Sequence, residues 1–167
     1  MGKRMRRFGP LLSLPLALAL LGGGAAVRAE NVGSVDTAFQ LLGPDHKVVV
    51  EVFDDPLVGG VSCYLSRAKT GGFKGAIGLA EDKAEASVAC RQVGEIHFNG
   101  ELPKQEEVFS ERASLLFKHV RVVRMVDARR NALVYLVYSD RLIDGSPKNS
   151  VTAVPVPANM PVPLRRK

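Results

Sequence analysis

Between Ser66 and Gly78 three cations, Arg67, Lys69 and Lys74, sit among the glycines Gly71, Gly72, Gly75 and Gly78. Glycine-rich backbone lets consecutive amides point into one concavity, and cations around such a concavity suit a phosphate or a carboxylate. Arg67, Lys69 and Lys74 are therefore the contact set expected for a small anionic ligand. The competing reading is a surface loop whose glycines relieve turn strain and whose cations stay in water. The G-x-x-G-x-x-G spacing of Gly72, Gly75 and Gly78 is not the dinucleotide fingerprint and lacks its strand-to-helix context.

The second chemically telling pair is Cys63 and Cys90, the chain's two cysteines. Their spacing is far from C-x-x-C, so neither thiol has a close partner to resolve a mixed disulfide. Two cysteines and three scattered histidines also lack zinc-finger spacing. A structural disulfide is expected, closing a loop of about 28 residues and contributing about 3 to 4 kcal/mol through chain entropy.

Catalytic signatures are missing: the chain has no G-x-S-x-G, no H-E-x-x-H and no phosphate loop. Asp54 and Asp55 suit a turn better than a calcium site, which needs six or more oxygens. An envelope hydrolase without a recognisable motif remains the alternative, using His46 with Asp45 or Asp55 from neighbouring turns. A strand of about seven residues separates those turns by roughly 20 Å, so His46 and Asp55 meet only if the chain folds back. His97 and His119 form no visible acid–base pair. No cofactor and no metal are expected.

The compartment that would oxidise the cysteines is written at the start of the chain. Lys3, Arg4, Arg6 and Arg7 precede an apolar run from Leu11 to Leu21, and Val27-Arg28-Ala29 offers small residues at the minus-three and minus-one positions. This is the pattern of a signal peptide, with cleavage expected after Ala29. The run is too short for the roughly 20 residues that cross a bilayer, and Gly22, Gly23 and Gly24 shorten it further. With no cysteine before Cys63, there is no acceptor for an N-terminal lipid. Arg6 and Arg7 fit an ordinary basic leader as well as a twin-arginine one.

Removing residues 1–29 takes away five of the 23 basic residues and none of the 17 acidic ones. The whole-chain excess of +6 therefore belongs mostly to the leader, and nucleic-acid binding loses its support. Within the remainder, Glu30 to Glu111 is acidic and Arg112 to Lys167 is basic. Packing the halves together would pair these charges across strands.

The elements that must position these residues are mostly strands. Lys47 to Phe53 reads as one, with Val48, Val50 and Val52 on one side and Glu51 on the other, stopped by Asp54-Asp55-Pro56. Val61 to Arg67 carries Cys63, and Ser87 to Val93 carries Cys90. Glu81 to Ala86 permits one or two helical turns. Leu115 to Phe117, Val120 to Val126, Ala132 to Tyr138 and Val151 to Val156 are rich in β-branched and aromatic residues. Asp127 to Asn131 fits a hairpin turn on a type I core. Both sides of Ala132 to Tyr138 are apolar, the mark of a strand covered on both faces. The fold class expected is mainly β, an antiparallel sandwich or partly open barrel with a small helical or irregular insertion. One monomeric domain over residues 30–157 is expected, followed by a Pro/Arg-rich flexible tail over 158–167.

The ordered motifs Gly33-Ser34-Val35-Asp36-Thr37, Gly43-Pro44-Asp45-His46-Lys47, Phe53-Asp54-Asp55-Pro56 and Ser66-Arg67-Ala68-Lys69-Thr70-Gly71-Gly72 resemble the CreA family of exported bacterial proteins. The likeness continues through Asp127 to Leu133, Tyr138-Ser139-Asp140, Gly145 to Asn149 and Ala153 to Val156, together with the spacing of Cys63 and Cys90. The resemblance implies a periplasmic protein of a Gram-negative cell. The family's catabolite-regulation label names no reaction, so no catalytic residue comes with it. The expectation is a non-enzymatic binding or interaction module of the cell envelope, taking a small anionic ligand or an envelope protein, with no nucleic acid and no membrane anchor.

Overall fold

The computed structural model describes residues 27–39, 41–71, 86–112, 119–140 and 148–166. Its eight strands are β1 (Glu30–Ala38), β2 (His46–Asp54), β3 (Val58–Lys69), β4 (Ala86–Phe98), β5 (Gln105–Arg112), β6 (His119–Asp127), β7 (Ala132–Ser139) and β8 (Asn149–Pro155). They form two antiparallel sheets in sequential order, β1-β2-β3-β4 and β5-β6-β7-β8. This is the mainly β architecture expected, without barrel closure and, among the described residues, without a helix. The expected helical turns at 81–86 fall outside the described residues apart from Ala86, which opens β4. The stretch 115–117 also falls outside them.

The sheets face each other through period-two side chains. Val61, Cys63 and Leu65 of β3 and Val120 and Val122 of β6 are buried, as are Leu133, Tyr135 and Val137 of β7. The outer face of β7, Ala132 to Tyr138, is only half-buried, so the strand is central but not equally covered on its two sides. Phe53 and Phe109 stack across the interface with centroids 4.5 Å apart. At one seam β4 approaches β8, where Arg91 Nη1 donates to Thr152 Oγ1 at 3.3 Å. At the other seam the edge strands are β1 and β5, and residues 27–29, leading into β1, lie there beside β2 and β5.

Cys63 and Cys90 stand directly opposite each other on β3 and β4, both buried, and their sulfurs are bonded. The link thus fastens neighbouring strands of one sheet. Nearby, β3 bulges between Gly59 and Val61, where Gly60 has φ +78° and a side chain would strike the Glu95 carbonyl.

The hairpin β6–β7 turns as its sequence demands: Arg130 N donates to the Asp127 carbonyl at 3.2 Å, and Asn131 closes the turn at φ 48°. Asn131 also governs the C-terminal tail. Its Nδ2 donates to the carbonyls of Val156, Pro157 and Met160, and its Oδ1 accepts from Val162 N. Further along, Leu102 N donates to Pro163 O and Arg165 N to Leu102 O. The prolines keep this segment extended, but it is strapped to the body where a flexible tail was expected, because Met160, Val162 and Leu164 pack on the core.

Candidate functional site

On β2 the buried face is Val49, Glu51 and Phe53, while Val48, Val50 and Val52 look outward. A carboxylate facing inward needs a partner. Val49 pairs with Arg67 across β2 and β3, which sets Arg67 diagonal to Glu51 on the same face. Arg67 Nη2 lies 2.5 Å from Glu51 Oε2 and donates to Glu111 Oε1 of β5 at 2.6 Å. Lys69 Nζ donates to Glu51 Oε1 at 3.1 Å. Arg67 and Lys69 are thus brought together as expected, but around a carboxylate of the protein itself. Arg67 is 6% exposed and bridges the two sheets. Lys74, with Gly72, Gly75 and Gly78, lies outside the described residues.

A second polar cluster escaped the sequence reading. Arg124 of β6, in the sequence Val-Val-Arg-Met-Val, has no exposed side-chain surface. Its Nη1 donates to Asp55 Oδ1 and its Nη2 to Glu106 Oε2, each at 2.5 Å. Tyr135 Oη donates to Asp55 Oδ2 at 2.9 Å, and Leu57 N donates to Asp55 Oδ1, also at 2.9 Å. Burial and the adjacent Asp55 carboxylate raise the Tyr135 phenol far above its ordinary value, so it remains a donor. The period-two pattern was the available signal: Arg124 shares the inner face with Val120, Val122 and Val126. Sealed from solvent on the Asp55 side, the cluster clamps the turn after β2 to the second sheet.

The histidines do not converge. His46 opens β2, and its Nδ1 accepts from Gly71 N at 3.0 Å, fastening the start of the glycine segment. Asp55 follows the opposite end of β2, so the His46–Asp55 pairing is not made. His97 lies against Gly59 at the far end of β3 from Lys69, and His119 opens β6 in the other sheet. Among the described residues no group of three or more His, Cys, Asp or Glu could hold a metal. Among the described residues no helix is long and apolar enough to cross a membrane.

Two clefts lie at the β2–β5 seam. A cleft of about 390 Å³ is lined by Val27, Arg28, Ala29 and Glu51 with Phe109 to Arg112. A smaller one of about 190 Å³ lies between Val27, Arg28, Glu30 and Val52 to Asp54. The chain between them is extended and alternates: Val27 and Ala29 are half-buried against the core, and Arg28 is exposed. Phe53 lines the smaller cleft and Phe109 the larger, and the larger is also lined by Glu51 and Glu111, the two acids held by Arg67.

Comparison with known proteins gives a match to the family described as CreA protein over residues 32–159. Protein CreA of Escherichia coli K12 is 54% identical over 147 residues, covering 86% of this chain and 94% of the relative. The proteins of the same name from Escherichia coli O6:H1 and O157:H7 match to the same extent. No solved structure gives a significant match.

Proposed function

The chain belongs to the CreA family, and on that footing we propose that it is an exported, periplasmic module that acts by binding, its site the seam between β2 and β5. The observation that carries this reading is the seating of Val27 and Ala29 on the core between the two sheets. A seam that accepts extended chain from one source has the shape and surface to accept it from another. The buried groups with chemical potential support binding over catalysis. Asp55, Arg124 and Tyr135 are enclosed, and a general acid or base must come within hydrogen-bonding reach of its substrate.

Of the two partner classes expected, an envelope protein fits better than a small anion. Arg67 is held between two carboxylates, and Lys69 shares one of them. An incoming anion would have to displace bonds already made. Export is supported by the leader pattern and is consistent with a bonded cysteine pair.

Cell fractionation with a photo-crosslinking residue at Ser110, inside the cleft, tests the reading. The expected result is protein in the periplasmic fraction, with an adduct to a defined envelope protein from position 110 and none from the exposed hairpin position 129. Cytosolic protein, or equal adducts from both positions, would overturn it.

A further inference from the structure

The residues seated in the seam are those that the expected cleavage would remove, since Val27, Arg28 and Ala29 are the last three of the leader. In the uncleaved chain they plug the site. We infer that cutting after Ala29 vacates this seat, and that the mature protein refills it with an extended segment of a partner polypeptide bearing small apolar side chains at alternate positions. The inference rests on the export reading above and adds the chemistry of the partner.

The chain's own segment serves as the template for that occupant. Extended backbone sends successive side chains to opposite sides, so the residues either side of Arg28 point inward together. Val27 and Ala29 pack on the core, and Arg28 remains in solvent. The seat therefore reads the first and third residues of a triplet and is tolerant at the second. Losing the three residues would join the two clefts that flank Val27 and Arg28. It would also uncover the edge of the Phe53–Phe109 stack, and an exposed apolar strip of this kind marks a binding surface.

Inward positions exclude acids for two reasons. A carboxylate set against Phe53 and Phe109 would lose its hydration, and the nearby cations Arg67 and Lys69 are already engaged by Glu51 and Glu111. Charge selects little at the outward position. The rim residue Glu30 would carry the new amino terminus, and Arg112 stands on the opposite wall.

The test uses protein recovered from the periplasm, its intact mass measured first, and a peptide spanning Ala25 to Ala29 blocked at both ends. The expected mass is that of a chain beginning at Glu30, with saturable binding of the peptide below about 1 mM. Peptides carrying Val27→Asp or Ala29→Asp should bind at least tenfold more weakly, and Arg28→Ser within about threefold. A protein version that keeps residues 27–29 should not bind. No binding by the chain that begins at Glu30, or equal binding of the aspartate peptides, overturns the inference and leaves export standing. A periplasmic chain beginning at Val27 does the same, because the plug stays in place. An intact leader on cytosolic protein overturns both.

Discussion

Arg124 and Asp55, 69 positions apart in the chain, meet with both side chains wholly buried, Nη1 to Oδ1 at 2.5 Å. The pair links the turn after β2 to the middle of β6 and so ties one sheet to the other. Breaking it from one side should be far worse than removing it entirely. Arg124→Met leaves the buried Asp55 carboxylate without a cation, held only by the Tyr135 hydroxyl and the Leu57 amide, and a loss of about 3–5 kcal/mol is expected. The double change Arg124→Met with Asp55→Asn should lose less than the sum of the singles, and thermal unfolding of the four proteins measures the coupling.

Tyr135 supplies the pH dependence. Its raised phenol keeps its proton in the folded state, whereas the unfolded tyrosine releases it near pH 10. The folded state then binds more protons, so the contribution is fully present below about pH 10 and is lost as pH rises beyond it. Tyr135→Phe should flatten this alkaline limb of a stability–pH curve. At neutral pH it should cost about 1–3 kcal/mol, since Asp55 Oδ2 loses its donor.

Arg67 and Lys69 should separate by stability. Arg67→Met leaves Glu51 on the inner face with the half-exposed Lys69 as its remaining cation and removes the link to Glu111, for an expected loss of about 3 kcal/mol. Lys69→Ala touches a pair whose cation is well exposed and should change stability by under about 1 kcal/mol. Equal effects in a denaturant titration would contradict the buried role assigned to Arg67.

Why Arg124 and the inward pairing of Arg67 escaped the sequence while the strands did not follows from what each depends on. β2, β3, β4 and the β6–β7 hairpin are local features, written in alternation, in Asp54-Asp55-Pro56 and in the Asp127 to Asn131 turn. The inward turn of Glu51 is not local. An acid among valines reads as the wet face, and the reverse holds because Arg67 on the next strand and Glu111 on the other sheet share the burial. Arg124 was within reach of periodicity, being in step with Val120 and Val122, but its partner Asp55 lies beyond a strand end where no period applies. The tail misled for a related reason: its prolines forbid regular structure, yet they do not forbid docking, which Asn131 and Leu102 provide.

Asn131→Gly should isolate that docking. Glycine keeps the left-handed backbone at φ 48° and removes every side-chain bond to the tail. Amide exchange at Val162 should accelerate at least tenfold while the β6–β7 turn keeps its protection. Unchanged exchange at Val162 would show that the core contacts of the tail hold it without Asn131.

Reduction of the disulfide should lower stability by about 3 to 4 kcal/mol without dissolving the sheet pairing of β3 and β4. Denaturant midpoints with and without reductant, read alongside far-ultraviolet dichroism, check both parts.

Once residues 27–29 are gone, the β2–β5 seam should bind a polypeptide segment. Amide shift mapping of the chain beginning at Glu30, titrated with the Ala25 to Ala29 peptide, addresses it most directly. The predicted result is a set of perturbations confined to Glu51–Asp54 and Phe109–Arg112, with the Asp127 to Asn131 turn unmoved. Perturbations centred on Lys69 to Gly71, or none at saturating peptide, would contradict it.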